Sequence, residues 1–439
     1  MNSTGIPTRI EPTRWGAALP LERVIVLLAT LLLTIAIISF RPFQPAGAEL
    51  ESGGGDIVNQ LGFGTLGALA LTALLTLADR RVLSALASPW WLAMLACLAV
   101  AVLHSPDPDA AMRAALFTAI GIVVMAAVLA LPGTGEAFSN MLAFSGFTIV
   151  GLCYAGLVLM PDVAIHGAGG YEPQHAGFWR GAFSHKNIAG PVMACLSFVG
   201  IYLWRRGRAS SGLLLFALAL FFMSNTGSKT TAGTVPLAIL MVILPNLFGM
   251  RLLVPAFMIV GLAAAALATL GIVFIEPLGH LAAELVPGLT YTGRTTLWAF
   301  MGGKLAQHPW LGYGFESFWG TPVVLRSEMP FDSAWDIRGI VHGHNSYLDL
   351  AVAMGIPALF LAIVTFVIVP LRDYMRVPRL KENIWLADLF MMIAAFTLFN
   401  AFLESFFFRR ADPVWLFFVL AVLGLRLVSR LPVPSRTAS

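Results

Sequence analysis

Twelve blocks of roughly 15 to 24 predominantly apolar residues recur along this 439-residue chain and constrain its fold more than any other feature. A helix needs about 20 such residues to cross the hydrocarbon of a bilayer. Charged side chains make up 11% of the chain and apolar ones 58%, whereas a soluble globular domain carries about 25% charged residues. The chain therefore reads as an all-α polytopic membrane protein with about twelve transmembrane helices. The blocks fall near residues 23–40, 61–78, 90–104, 115–131, 141–160, 188–204, 211–224, 231–247, 252–275, 347–369, 384–403 and 413–430. The same composition excludes a disordered chain, a disulfide scaffold and a nucleic-acid module. Cys97, Cys153 and Cys195 each lie inside an apolar run, where a cysteine behaves as a small buried hydrophobe. The basic start (Arg9, Arg14, Arg23) runs directly into the first block without a small-residue cleavage site, so no signal peptide is expected.

An even number of spans puts both termini on one side. If that side is the cytoplasm, the inner segments hold 16 basic and 6 acidic residues. The outer segments then hold 11 basic and 15 acidic residues, with Asp349 and Asp388 inside spans. This satisfies the positive-inside rule. The organisation expected is a cytoplasmic tail over 1–22, nine spans over 23–275, a large periplasmic loop with short helices over 276–346, three spans over 347–430, and a cytoplasmic tail over 431–439. All eight histidines then fall on the outer face or at its boundary. The two longest connections, 161–187 and 276–346, are outer as well, and loops of such length in a compact fold are usually functional. No repeat is evident, and the one low-complexity tract is Gly53-Gly54-Gly55.

Candidate chemistry gathers in those outer segments. In Tyr291-Thr292-Gly293-Arg294-Thr295-Thr296-Leu297-Trp298, Thr292 has the position of an N-cap and Arg294 lies in the first helical turn. A cation there opposes the helix dipole, which is either a tolerated solvated arginine or, with the free N–H groups, a phosphate-type anion site. Arg338 precedes His342-Gly343-His344-Asn345-Ser346-Tyr347-Leu348-Asp349. Ser346 and Asp349 have capping-box spacing, which sets His344 just before a helix N-terminus. That position favours a neutral imidazole able to serve as a general base. His342 and His344 could also ligate zinc, but no third ligand has matching spacing. Lys186, in Phe183-Ser184-His185-Lys186-Asn187, and Lys229, in Asn225-Thr226-Gly227-Ser228-Lys229-Thr230, place a lysine at two further helix ends on the same side. The Gly-Ser-Lys-Thr run lacks the residue order of a phosphate-binding loop, which sets nucleotide binding aside.

Taken in order, these segments resemble the O-antigen ligase and bacterial polysaccharide polymerase superfamily, and most closely its exopolysaccharide-polymerase branch. The likeness runs from about Phe183 to Ala358. It includes Ser-Lys-Thr at 228–230, Thr-Gly-Arg-x-x-x-Trp at 292–298, His-Pro-Trp-Leu-Gly-Tyr-Gly-Phe at 308–315 and His-Gly-His-Asn-Ser-Tyr-Leu at 342–348. The family's ligase pattern maps onto His344, Asn345 and Gly355, with Ala358 departing from it at the last position.

The resemblance implies a GT-C-type glycosyltransferase of the bacterial inner membrane with its active site on the periplasmic face. It implies transfer of a glycan from undecaprenyl diphosphate to an acceptor hydroxyl, without metal, nucleotide or other cofactor and with inversion. His344 corresponds to the family's essential histidine and Arg294 to one functional arginine. Lys229 stands where a second arginine is expected, keeping charge but losing the bidentate fork. Arg294, Lys229, and Lys186 or Arg338 would hold the diphosphate, with His342 and Asn345 supporting. The partners implied are the lipid-linked oligosaccharide, a glycan or lipid A core acceptor, the bilayer and polysaccharide-assembly proteins. Within the family the alternative to a polymerase is an O-antigen ligase. Outside it stands a polysaccharide transporter or lipid-linked glycan flippase, which would place ionisable groups mid-membrane.

Overall fold

A computed structural model describes residues 21–44, 56–169, 173–328 and 336–434. The tails up to residue 20 and from residue 435, the Gly53-Gly54-Gly55 tract, residues 170–172 and residues 329–335 of the large loop lie outside the described residues. Among the described residues, every regular element is helical apart from one isolated bridge between Ile165 and Trp179. The helices of seven residues or more begin with α1 Leu21–Ile38, α2 Ile57–Leu77, α3 Arg80–Leu86, α4 Pro89–Leu103, α5 Pro108–Ala130 and α6 Gly135–Leu159. They continue with α7 Lys186–Arg205, α8 Ala209–Asn225, α9 Lys229–Leu247, α10 Leu253–Phe274, α11 Glu276–Leu285 and α12 Arg294–Gln307. The last four are α13 Ser346–Met354, α14 Ile356–Arg376, α15 Lys381–Asn400 and α16 Pro413–Arg430.

Ten of these are long and apolar enough to cross a membrane among the described residues. The bent pair α3 and α4 and the shorter apolar α8 account for the other two expected blocks. Boundaries shift where capping chemistry intervenes. Helix α5 begins at Pro108, seven residues ahead of the apolar run, because Asp107 accepts a hydrogen bond from the Ala110 N–H and proline suits a first helical position. The expected span over 347–369 is divided at Gly355, which has φ +87°. A Cβ there would collide with the Trp310 carbonyl oxygen, so the backbone of another segment crosses the break and only glycine fits.

Burial sorts the helices into a centre and a rim. In α7, α15 and α16, 78%, 89% and 78% of the span is buried inside the protein, against 22% in α10. Helices apolar on every face but poorly buried present side chains such as Val260 and Leu267 outward, as a span facing lipid does. The α7–α8 hairpin is held by close backbone approach. A Cβ on Gly200 would meet the Phe216 nitrogen at 2.7 Å and the Gly212 carbonyl oxygen at 2.8 Å.

The two ends of the bundle differ in chemistry. At one end Arg206 pairs with Glu136 (2.5 Å) and Glu382 (2.9 Å), Arg208 pairs with Glu136, and Arg205 pairs with Asp388 (2.7 Å). Asp388 also accepts hydrogen bonds from Tyr374 (2.8 Å) and Asn246 (2.9 Å), so this carboxylate within a span is fully engaged in packing. The other end collects the long connections and is called the histidine face below. There Phe43 N–H donates to Ala182, Trp179 N–H to Asn225, Phe315 N–H to Ala101 and Ser346 N–H to Ala401, which ties connections to one another and to the ends of α4, α8 and α13.

Because the α7–α8 approach leaves no room for a side chain, Gly200→Leu is expected to cost about 1–3 kcal/mol through overpacking. Thermal unfolding of the detergent-purified protein should show a lowered midpoint, with Ala219→Leu, at a buried position on the partner helix α8, as the control for general overpacking.

Candidate active site

Helix α13 begins one residue later than the loop that matters. Its N-cap is Asn345, whose Oδ1 accepts from the Leu348 N–H at 3.0 Å, in place of the expected Ser346. Ser346 instead serves the neighbouring loop. Its N–H donates to Ala401 (2.8 Å), its hydroxyl donates to the Glu404 carbonyl (2.9 Å), and it accepts from the Phe406 N–H (2.8 Å). Asp349, one turn further, reaches back to the Gly343 N–H (3.0 and 2.9 Å) and also accepts from the Trp319 indole (2.8 Å) and the Ser405 hydroxyl. The Ser405 hydroxyl accepts in turn from the Asn345 N–H at 3.1 Å. Residues 342–349 and 401–406 are thus stitched by a network in which donors find acceptors within the protein, as burial requires.

Held in this network, His344 adopts φ +49°, the left-handed region that residues with a Cβ seldom enter. Strain of this kind persists where surroundings over-determine it. Its Nδ1 lies 3.1 Å from Glu404 Oε2, and Glu404 Oε1 lies 3.1 Å from Arg294 Nη2. The side chains of His344, Glu404 and Arg294 are 20%, 11% and 15% exposed. A tautomer that donates Nδ1–H to this carboxylate has Nε2 as its basic nitrogen. Burial raises the pKa of Glu404, but the His344 hydrogen bond and the charges of His344 and Arg294 outweigh it and hold the carboxyl below its usual range. Glu404 is therefore an anion that orients a histidine and pairs an arginine.

Arg294 reaches this carboxylate from α12. The cap of α12 is Gly293 (φ +84°), while Thr292, the expected cap, is itself left-handed (φ +64°). Arg294 is the first helical residue, and Trp298, four residues on, lies on the same helix face. Trp298 is fully buried and donates its indole N–H to the Gly343 carbonyl at 3.0 Å. The Arg-x-x-x-Trp spacing thus lets one side chain clamp the histidine loop while the other approaches its ring. Arg294 Nε, also buried, makes no hydrogen bond.

The remaining expected residues are placed as follows. The His342 ring packs edge to face against His344 with centroids 4.2 Å apart. Desolvation, followed by the nearby His344, Arg409, Arg294 and His185, lowers its pKa well below the histidine range. Lys186 is buried at the start of α7, with its ammonium 4.8 Å from the centre of the Phe178 ring. His185 caps α7 by accepting from the Asn187 N–H and lies close enough to bias His342 and Glu404 electrostatically. The His166, His175 and His185 rings touch, with centroids 5.0 to 5.7 Å apart. Lys229 is exposed at the start of α9, in a turn that packs through Gly227 on Phe178. It makes no hydrogen bond or ion pair with the His344 cluster. Arg338 is exposed, and its guanidinium forms a two-point contact with Asp336 on a short helical turn (2.8 Å twice). The geometry therefore joins Arg294, His342, His344 and Asn345 and leaves Arg338 paired elsewhere.

The segment 308–315 has a structural duty. Tyr313 and Gly314 donate their N–H groups to Val352 and Ala353, and Ile356 N–H donates to Pro309. The last carbonyls of α13, orphaned by the break at Gly355, are satisfied in this way.

Sequence reasoning missed Glu404, Ser405 and the latching role of Asp349. Glu404 belongs to a short connection between two apolar spans. The available signal was a Glu-Ser pair directly after a span on the side that carries every histidine.

Residues 212–363 match the family model described as O-antigen ligase. No curated protein matches the chain. The matched stretch contains Lys229, Arg294, His342 and His344 and stops short of Glu404, which the last helical hairpin contributes. The match bears out the resemblance to the O-antigen ligase and polysaccharide polymerase superfamily, and with it a membrane enzyme that processes glycans.

His342 supplies a pH test. Its folded pKa lies below the ordinary value of 6.5, so below pH 6.5 the unfolded chain binds a proton that the folded chain refuses. Stability is full above that value and falls on acidification, by at most about 1.4 kcal/mol per pH unit from this group. Melting curves between pH 7.5 and 5.5 should show this loss in the wild type and a shallower one in His342→Gln.

Proposed function

We propose that this O-antigen-ligase-domain protein is a bacterial inner-membrane glycosyltransferase that polymerises surface or exopolysaccharide repeat units at the periplasmic face. Its donor is a glycan carried on undecaprenyl diphosphate, and its acceptor is a hydroxyl of a second glycan. The observation that carries the proposal is the buried contact of His344 with Glu404 and of Glu404 with Arg294, which sets a base, its orienting anion and a cation side by side.

Each group has a role in one displacement. The acceptor oxygen attacks the anomeric carbon and forms the new glycosidic bond, while the bond from that carbon to the diphosphate oxygen breaks and its electron pair leaves with the diphosphate. The hydroxyl proton passes to Nε2 of His344, and the imidazolium so formed is stabilised by Glu404. Arg294, with Nη2 engaged by Glu404, supplies positive charge against the negative charge that develops on the leaving group. Lys186 and Lys229, at the starts of α7 and α9, add positive potential on that side of the cluster. Attack opposite the departing diphosphate inverts the anomeric centre. His342 and Asn345 hold the histidine loop. This reading includes the large loop as catalytic and both termini as cytoplasmic, in keeping with the charge asymmetry of the two faces.

The family description favours a second reading, a ligase with lipid A core as acceptor, that uses the same chemistry. Glycan size separates the two. In a deletion strain, loss of a polymerase leaves single repeats, and loss of a ligase leaves long lipid-linked chains without attachment.

Transfer on a purified lipid-linked oligosaccharide should fall by about 10²–10⁴ in His344→Ala, the scale of general-base catalysis, and by about 10²–10³ in Arg294→Ala. Glu404→Gln should lose at least about tenfold through the orientation of the imidazole. Wild-type rates in the first two variants would refute the site assignment.

A further inference from the structure

At the end of the bundle opposite the histidine face, helices α3 and α4 meet at a 62° bend. Ala87, Pro89 and Trp90 are exposed at this bend, whereas Ser88 among them is buried. Arg426 reaches the bend from the last turns of α16 and donates through Nη2 to the Ala87 carbonyl. Arg430 at the end of α16 and Arg372 near the end of α14 act on Arg426 at electrostatic range, as does Asp373. Among the described residues, the one carboxylate contact of these three arginines is the 3.3 Å approach of Arg372 Nη2 to Asp373 Oδ1. Two positive charges are therefore left uncompensated at one place on the protein surface.

Hydrogen bonding is incomplete at the same place. Asp373 Oδ2, Arg372 Nε, Arg426 Nε and the Ser88 hydroxyl are all buried and have no hydrogen-bond partner among the described residues. Asp373, Ser88 and Arg426 are only 2%, 3% and 6% exposed. Ser88 holds the N-cap position of α4 and yet makes no cap bond. An unmet buried polar group is costly, and more so when it is charged. These atoms call for a partner that brings acceptors for two guanidinium N–H groups and a donor for a carboxylate oxygen. Water would supply hydrogen bonds and leave the two charges uncompensated. A phosphodiester suits the guanidinium groups in both geometry and charge, and a hydroxyl on the same partner suits Asp373.

From this arrangement we infer that the α3–α4 bend binds an anionic phospholipid whose phosphodiester headgroup carries a free hydroxyl, as phosphatidylglycerol and cardiolipin do. Basic pockets between spans at the membrane surface recruit acidic headgroups in this way. The phosphodiester sits on Arg372, Arg426 and Arg430, and the headgroup hydroxyl donates to Asp373 Oδ2. The acyl chains run along the exposed side of α4 beside Trp90. At its far end α4 holds the large loop, because the Ala101 carbonyl accepts from the Phe315 N–H and the Ser105 hydroxyl, just past the helix, bonds that of Ser317 (2.5 Å). The lipid thus braces the helix from which that loop hangs.

The test uses the full-length protein washed exhaustively in detergent, with retained lipid counted by native mass spectrometry during graded addition. The probes are phosphatidylglycerol, cardiolipin, phosphatidylmethanol, which has the same phosphodiester charge and no hydroxyl, and phosphatidylethanolamine, which has no net charge. Saturable retention of one phosphatidylglycerol or cardiolipin per chain is expected, and the tighter of the two identifies the source. Phosphatidylmethanol should bind more weakly, and phosphatidylethanolamine should not saturate. Arg372→Gln and Arg430→Gln should each weaken phosphatidylglycerol binding about tenfold, the scale of one hydrogen bond to a charged group. The corresponding lysine variants should recover most of it. Arg430 is exposed, so Arg430→Gln should melt like the wild type without lipid, which separates a lost site from a lost fold. In Asp373→Ala the preference for phosphatidylglycerol over phosphatidylmethanol should disappear. Equal binding of phosphatidylglycerol and phosphatidylmethanol by the wild type would overturn the proposal, as would equal binding of phosphatidylethanolamine. Retention that ignores both arginine variants, or no saturable lipid at all, would overturn it as well and leave ordered water as the occupant.

Discussion

The hydrogen bonds that Asp349 and Ser346 make to the connection 401–406 are what the rest of the site depends on. Together with Asn345, which bonds Ser405 and Phe402, they register the histidine loop against the turn bearing Glu404, which belongs to a different hairpin of the bundle. Asp349 satisfies a backbone N–H, an indole and a hydroxyl at once, and Ser346 exchanges bonds with three backbone groups of the facing turn. Networks of this kind rigidify when every member is satisfied. Rigidity is needed here because His344 is held in a backbone conformation that it would not choose alone, and because its contact with Glu404 crosses between two loops. The break at Gly355 belongs to the same design: it ends α13 early, and the backbone of 308–315 then covers the exposed carbonyls.

The architecture was largely legible in the sequence because hydrocarbon imposes a local rule. An apolar block of about 20 residues has to be a helix, since no other structure hides its own backbone without neighbours. All twelve blocks accordingly coincide with helices, and the charges that orient them fall at the end where Arg205, Arg206 and Arg208 meet Glu136, Glu382 and Asp388. Helix ends were less legible. Asp107 and Pro108 start α5 early, and Asn345 takes the cap assigned to Ser346, because a capping contact depends on which side chain the tertiary structure leaves available. Asp349 shows the same limit: its spacing from Ser346 suggested a local capping box, whereas its oxygens bond the residue before His344 and a different hairpin.

The site was legible in part. Arg294 and His344 stand in segments whose residue types point to anion binding and proton transfer, and the structure brings them to one carboxylate. Glu404 could not be read from those segments, because the partnership is made across 60 residues of sequence by the packing of α13 against the α15–α16 hairpin. Arg338 illustrates the converse. It lies close to the histidines in sequence, but Asp336 two residues away occupies its guanidinium.

The central claim is that Glu404 acts on transfer through both His344 and Arg294, as the shared member of one unit. A double-mutant cycle in the rate of glycan transfer, pairing Glu404→Gln with His344→Gln and with Arg294→Gln, tests it most directly. Groups that act as a unit give strongly non-additive losses. The account predicts that each double variant is little slower than the slower of its two single variants. Losses that multiply independently in both cycles would contradict it.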